Sequence, residues 1–333
     1  MTQMQVKVLV VGDPHIKVNN VVETDMMMQK LKDICLERKP DFIVLLGDIL
    51  DRHSSIHVVP LMKAENMILT LSQIAPTFVI IGNHDRPNNS NFLTDEHPFN
   101  ALKLWPNTFI IDKVLTYTFK NMKFLFVPYV PAGRLEEAIN TLPNALTDTI
   151  AVFQHSEIQG CNYNGIKSTS TDVWTKDKPL GVSGHIHDYE FLLPNFIIVG
   201  TPFQQTFAES PDKAISFFTF NEDRTWHQER IDLNIQKKIT VYVNTDEFHS
   251  YTPPLDKKVK LIVKGDEASI KTISKTDKMK ELKQNGVIVV VEANPTLQKL
   301  KNSSAPKLSY KSRLLMELGA DEHAIKWFQK IFV

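Results

Sequence analysis

The chain has 333 residues, more than one ordinary core organises, so two domains with a short appendage are expected. Hydrophobic residues make up 42%, which excludes a disordered chain. Lysine plus arginine and aspartate plus glutamate balance at 38 each, so net charge supplies no general attraction to nucleic acid and any basic surface must be local.

The first stretch, MTQMQVKVLVVGD, carries a lysine inside a short apolar run and reads as a strand rather than a signal peptide. Val6–Val11 ends in Gly12-Asp13. Val22–Arg38 reads as a helix with Met26, Leu31, Ile34 and Cys35 on roughly one face, stopped by Pro40. Phe42–Leu46 is a second strand, Pro60–Leu71 a second helix and Phe78–Ile81 a third strand. Thr108–Ile111, Leu115–Phe119 and Phe124–Val127 follow as strands, then a helix over Ala132–Thr141. Thr149–Gln154, Leu180–Ser183, Phe191–Leu193, Phe196–Val199 and Ile215–Phe220 complete the strand set. Alternating strands and helices, then a strand-rich half, predict an α/β fold: a two-sheet β-sandwich flanked by helices, over residues 1–236.

A boundary is expected near Gln236. Strands over Ile239–Val243, Val259–Val263 and Val287–Val291, with a polar helix over Ala268–Gln284, predict a small α+β unit over 237–301. Asn302–Pro306 reads as a linker, and Ser309–Leu318 and Asp321–Phe332 as two helices, making a 302–333 tail. Leu314, Leu315, Leu318, Ile325, Trp327, Phe328 and Ile331 give that tail an apolar face. No apolar run approaches the ~20 residues of a membrane span. With only two cysteines, Cys35 and Cys161, and no C-x-x-C pair, the chain reads as a soluble intracellular protein, cytoplasmic, with no membrane partner.

Five polar clusters each follow a strand-like run: Asp13-Pro14-His15, Gly47-Asp48-Ile49-Leu50-Asp51, Gly82-Asn83-His84-Asp85, Gln154-His155 and Gly184-His185-Ile186-His187. In open α/β sheets, sites gather at the carboxyl ends of strands, so five loops at one sheet edge can converge. Carboxylates, imidazoles and one amide suit divalent cations of intermediate hardness, and the lack of thiolates excludes a structural zinc site. One carboxylate can serve two ions in a two-metal hydrolase. Gly12, Gly47, Gly82 and Gly184 each precede a proposed ligand and let the strand end turn sharply. In His185-Ile186-His187, an extended backbone would turn both imidazoles to one face, where each could serve a different metal. Taken singly, Asp13 and His15 could be a hydrogen-bonded loop pair, Asp48 and Asp51 helix caps, Asn83 a turn residue and His155 a structural imidazole. The combination decides: five of the eleven histidines sit in these clusters.

The order D-x-H, G-D-x-x-D, G-N-H-D, lone H, G-H-x-H resembles the calcineurin-like metallophosphoesterase superfamily over residues 13–187. Within it the chain is similar to the SbcD type of nuclease subunit and its phage and eukaryotic recombination-nuclease counterparts. The Gly82-Asn83-His84-Asp85 motif and Gly200-Thr201-Pro202-Phe203-Gln204-Gln205-Thr206-Phe207-Ala208-Glu209 carry that likeness. The resemblance implies that Asp13, His15 and His187 hold one ion, Asn83, His155 and His185 a second, and that Asp48 bridges. His84 is then the catalytic residue beside them, and Asp51 and Asp85 orient neighbouring histidines. Two divalent ions are implied, manganese first, with magnesium, iron or zinc as alternatives. The implied activity is a duplex-end exonuclease and single-strand endonuclease in DNA repair, recombination or replication, cellular or virus-encoded. The implied partners are DNA and an SbcC-type coiled-coil ATPase docked on the tail, around a homodimer within a heterotetramer. The small α+β unit would be a DNA-guiding cap. Arg52-His53 gives G-D-x-x-D-R, which protein phosphatases also show. A phosphomonoesterase or cyclic-nucleotide phosphodiesterase is therefore the alternative, with His53 either near the scissile phosphate or in a solvated loop.

Overall fold

The computed structural model describes residues 4–53, 55–163 and 165–293. The expected linker and helices over 302–333 lie outside the described residues, as does 294–301 of the expected small unit. The described residues fall into two compact units, one running to Ile239 with Leu255–Lys258 added, the other Thr240–Pro254 with 259–293.

The first unit begins β1 (Gln5–Val11), α1 (Val21–Arg38), β2 (Phe42–Leu45), α2 (Val58–Ser72), β3 (Thr77–Ile80) and β4 (Thr108–Ile111). It continues β5 (Leu115–Phe119), β6 (Met122–Val127), α3 (Leu135–Ile139), β7 (Thr149–Gln154), a two-residue pair β8 (Asn162–Tyr163) and β9 (Ile166–Lys167), and β10 (Leu180–Ser183). It closes with β11 (Glu190–Leu193), β12 (Phe196–Ile198), β13 (Ile215–Asn221) and β14 (Trp226–Ile231). One sheet has the order β14-β13-β1-β2-β3-β4 and the other β11-β12-β10-β7-β6-β5.

Strand alternation builds the layers. In β1, Val6, Val8 and Val10 face the seam between the sheets, where Phe42, Phe78 and Phe220 of their own sheet meet Phe124, Phe126 and Phe153 of the second. Phe78 and Phe126 stack across that seam at 4.3 Å. Burying each such ring stabilises the fold by about 1.5–3 kcal/mol. Leu9 and Val11 face the other way, onto Met27, Leu31 and Cys35 of α1 and Ala64, Met67, Ile68 and Leu71 of α2. Met27, Leu31 and Cys35 recur every four residues, which puts them on one helix face. The second sheet's outer face, with Leu125, Val127, Val152, Phe196 and Ile198, is covered by α3 and by Trp174. The fold is the expected mixed α/β sandwich.

Two expectations shift. The helix over Ala132–Thr141 contracts to α3, whose first turn is held by Asp172 accepting from Gly133 and Leu135 backbone N–H at 2.6 and 3.1 Å. Strand β14 gave no signal, because WHQERI alternates only weakly and sits at a sheet edge.

From Thr240 onward the second unit carries all but the first residues of β15 (Lys237–Asn244) and of β16 (Lys257–Gly265), then α4 (Glu267–Ile273), α5 (Asp277–Gln284) and β17 (Ile288–Ala293). Its sheet order is β15-β16-β17, with β16 and β17 parallel. The single polar helix expected over Ala268–Gln284 is two. Asp266 caps α4 through Ala268 and Ser269 N–H, and Thr276 caps a fresh helix through Met279 N–H.

Candidate metal centre

All five clusters sit at carboxyl ends of parallel strands, but of both sheets rather than one edge. Asp13, Asp48 and Asn83 follow β1, β2 and β3, which pair in parallel. His155 and His185 follow β7 and β10, parallel neighbours in the second sheet. The loops are stitched to one another. Leu46 N–H donates to Val11 O (2.9 Å), His15 N–H to Asp48 O (3.0 Å) and Gly184 N–H to Gln154 O (3.0 Å). His185 N–H donates to Asp13 Oδ2 (2.7 Å) and His84 N–H to Asp48 Oδ1 (2.7 Å).

The ligand loops are strained where they bear the donors. His15, Asp48 and His185 have φ of 44°, 47° and 78°, a region that costs non-glycine residues about 1–2 kcal/mol each. The 185–187 segment is therefore not extended, and its two imidazoles diverge. His187 Nε2 lies 3.0 Å from His15 Nε2, while His185 Nδ1 lies 2.8 Å from Asn83 Oδ1 and 3.2 Å from His155 Nε2. Of the four glycines, Gly47 alone has a positive φ, at 104°. The others serve close approach: a Cβ on Gly184 would lie 2.4 Å from Asp13 Oδ1.

Three groups of donors lie within reach of a common ion: Asp13 with His15 and His187; His15 with Asp48 and His84; Asp48 with His155 and His185. Their polar atoms fit cations. His155 Nδ1 donates to Leu46 O at 2.7 Å, so in the neutral ring Nε2 would carry the lone pair. That lone pair faces Asn83 Oδ1 at 3.0 Å and Asp48 Oδ2 at 3.3 Å, acceptor against acceptor. Asp13 Oδ1 is buried without a hydrogen-bond partner. Only a positive charge among these atoms makes the set favourable.

The electrostatics agree. Burial alone would depress His155, but the Asp48 and Asp13 carboxylates outweigh it and lift the imidazole to about 9. A proton thus stands where a cation would. Burial pushes the Asp13 carboxyl up to about 7 against the pull of His155. Burial also raises Asp48, but the His155 charge and hydrogen bond, then His15, hold it far below the usual carboxylate range. Burial and the His155 charge drive His185 down to about 3, and burial drives His15 well below its ordinary value.

Of the two aspartates expected to orient histidines, Asp51 lies against two of them, with its carboxylate 3.7 Å from His15 Nδ1, whereas Asp85 meets none among the described residues. Asp85 binds backbone instead, accepting from Gly82, Ile49 and Leu50 N–H at 3.1, 3.2 and 2.9 Å, and so ties the β3 loop to the β2 loop. Asp51 holds His84 through its main-chain carbonyl, 2.8 Å from Nδ1, and its carboxylate pairs with Lys17 at 2.9 Å. His53 sits in a largely exposed loop, yet its half-buried ring stacks on His84 at 4.4 Å. The reading of clusters also passed over Glu209, 3.2 Å from His187 Nδ1, although that residue closes the Gly200–Glu209 stretch. Tyr129, 5.8 Å from His185 between ring centroids and backed by Arg86, carried no sequence signal.

A model of the family described as calcineurin-like phosphoesterase matches residues 6–189, the span that holds all five loops. The "Putative phosphoesterase 078R" of Invertebrate iridescent virus 3 is 37% identical over 301 residues, 88% of this chain and 86% of that one. The "Putative phosphoesterase 244L" of Invertebrate iridescent virus 6 is 37% identical over 278 residues, 81% of this chain and 97% of that one. The solved structure of GAP50, the anchor in the inner membrane complex of Plasmodium, has a TM-score of 0.46 and 13% identity, covering 69% of this chain and 85% of that one. Among the described residues, no helix is long and apolar enough to cross a membrane. Divalent metals are implied by that family, and the clustered donors suit them. A model match over more than half of the chain, and two viral relatives aligned along most of it, place this chain in the calcineurin-like phosphoesterase family.

Proposed function

We propose that the chain is a two-metal phosphodiesterase acting on DNA, as an exonuclease at duplex ends and an endonuclease on single strands. The observation that carries the two-metal reading is the position of Asp48. Its Oδ2 lies 3.3 Å from His155 Nε2 on one side and 3.7 Å from His15 Nε2 on the other, which suits a shared ligand. Asp13, His15 and His187 would hold one cation, and Asn83, His155 and His185 the other. Mixed carboxylate, amide and imidazole donors favour manganese, with magnesium, iron and zinc as alternatives. Such a pair of ions supplies an activated water and neutralises charge gathering on the phosphoryl oxygens.

The chain's own part is positioning and proton transfer. His84 Nδ1 is committed to Asp51 O, which leaves Nε2 for the substrate. As the P–O bond to the leaving group breaks, Nε2 is placed to pass a proton to the departing oxygen. The Asp48 carboxylate receives His84 N–H at 2.7 Å, which ties the backbone of the acid to the shared ligand.

The DNA substrate is supported by the Gly82–Asp85 motif and by the Gly200–Glu209 stretch. On the same support we assign the second unit a DNA-guiding role and the 302–333 tail to an SbcC-type coiled-coil ATPase, around a homodimer. The setting would be repair, recombination or replication. A small-ester reading, as a phosphomonoesterase or cyclic-nucleotide phosphodiesterase, draws on one observation. Lys17 and Arg52 line a cavity of about 280 Å³ beside Asp51, a size and charge that suit a compact phosphate ester.

The deciding experiment incubates the pure full chain with Mn²⁺ and end-labelled duplex, hairpin and single-stranded DNA, alongside p-nitrophenyl phosphate. Metal-dependent DNA cleavage that EDTA abolishes is expected. Hydrolysis of the small ester with the DNA left intact would overturn the nuclease reading.

A further inference from the structure

The His187 imidazole and the backbone of the His15 loop are both held from one segment, residues 200–213, that offers none of the proposed ligands. Glu209 Oε1 lies 3.2 Å from His187 Nδ1, and its Oε2 accepts from Gln205 N–H at 2.8 Å. The Gln205 amide reaches the other loop. Its Nε2 donates to Pro14 O at 3.0 Å, and its Oε1 accepts at 3.2 Å from Asn20, whose Nδ2 also donates to His15 O at 2.9 Å. Gln204 Nε2 braces the segment by donating to Glu209 O (3.0 Å) and Lys238 O (3.1 Å). Lys213 Nζ donates to His187 O at 2.7 Å. Gln204, Gln205, Lys213 and Asn20 are all buried.

The other group is held independently. His155 leans on Leu46 O, and His185 and His155 meet at Asn83 Oδ1. Among the described residues, none of those bonds comes from 200–213.

Resting on the two-cation reading above, we propose that Glu209 and Gln205 are positioning residues for one metal position alone. Glu209 keeps the proton of neutral His187 on Nδ1, so that Nε2 presents its lone pair toward His15. Gln205 fixes the separation of the His15 and His187 loops, and hence the bite of the two imidazoles. The Asn83–His155–His185 position does not depend on either residue. Partners of this kind are worth about 10–100-fold in metal affinity when removed.

The test is Mn²⁺ titration of the full chain by equilibrium dialysis and electron paramagnetic resonance. Wild type is expected to take up two ions per chain and to show a coupled-pair signal. Glu209→Gln should weaken one position about 10–100-fold, leave the other unchanged, and give an uncoupled six-line signal at the same loading. Gln205→Ala should act in the same direction, and it stands in for Glu209→Gln if circular dichroism shows that variant unfolded. Glu209→Asp should restore part of the loss. Asp172→Asn, which loosens the start of α3, should leave both positions intact. Two unchanged positions in folded Glu209→Gln and Gln205→Ala, or equal loss of both positions, would sink this assignment alone. Uptake of fewer than two ions by wild type would sink the two-cation reading and this assignment with it.

Discussion

Nε2 of His15 and Nε2 of His187 face one another at 3.0 Å. Two neutral imidazoles cannot both point lone pairs into that gap without repulsion. His185 Nδ1 and His155 Nε2 approach almost as closely, at 3.2 Å beside the Asn83 carbonyl oxygen, and there the His155 proton fills the gap. The loops that create these close approaches are locked by backbone bonds and by strained φ at His15, Asp48 and His185. The fold therefore gathers lone-pair atoms into gaps that only a proton or a cation can bridge.

Metal binding should thus stabilise the folded chain strongly. At an ion concentration 100 times the dissociation constant, each occupied position adds about 2.7 kcal/mol. Scanning calorimetry with Mn²⁺ and with EDTA should show a Tm several degrees higher in the ion. Superimposable melting curves would rule the idea out.

Metal affinity should rise with pH between about 6 and 9. The sign follows from the raised pKa values. In the metal-free chain, His155 titrates near 9, so over pH 7–9 a cation must displace its proton. Below about 7 the Asp13 carboxyl is protonated as well and a second proton must leave. His185, held near 3, is already neutral throughout and adds no dependence. Each displaced proton makes affinity change about tenfold per pH unit. Isothermal titration calorimetry in buffers of different ionisation enthalpy counts the protons released. An affinity flat from pH 6 to 9, with no buffer-dependent heat, is incompatible with this account.

Much of this site was legible because its chemistry is written in short local words. A glycine, then an aspartate or histidine, after an apolar run is read without knowing which sheet the run joins. What pairing decides was not legible. That β7 and β10 lie in a different sheet from β1–β3 depends on contacts far apart in the chain. The left-handed backbone of His185 was hidden because His-Ile-His reads equally well as a strand. Glu209 sits 22 positions from His187, in a loop with no strand signal, so only a resemblance pointed to its stretch. Asp85 looked like a histidine partner because it follows His84, yet the fold turns it onto three backbone N–H groups. Strand β14 and the break between α4 and α5 fell to edge position and to capping at Thr276.

His84→Gln should separate chemistry from metal binding. The imidazole is lost but the backbone N–H to Asp48 remains. Removing a proton donor lowers the rate by about 10²–10⁴-fold. Turnover of bis-p-nitrophenyl phosphate should fall in kcat, with Mn²⁺ uptake unchanged by dialysis. Equal kcat, or loss of bound Mn²⁺, would reassign His84 from the reaction to a structural or ligand role.

Gly184→Ala should damage the centre out of proportion to its size. The added Cβ would lie 2.4 Å from Asp13 Oδ1, 3.0 Å from Leu46 O and 3.1 Å from His155 Nδ1. Asp13 cannot swing away freely, because His185 N–H holds its other oxygen at 2.7 Å. Overpacking of this kind costs about 1–3 kcal/mol, and here the displaced atom is a candidate ligand. Mn²⁺ uptake should drop along with Tm. Gly160→Ala is the comparison, since its φ of 85° brings strain but a Cβ there meets nothing within 4 Å. It should lower Tm through backbone strain alone while leaving Mn²⁺ uptake intact. If both variants kept full uptake, the tight packing around Asp13 would have no bearing on the ions.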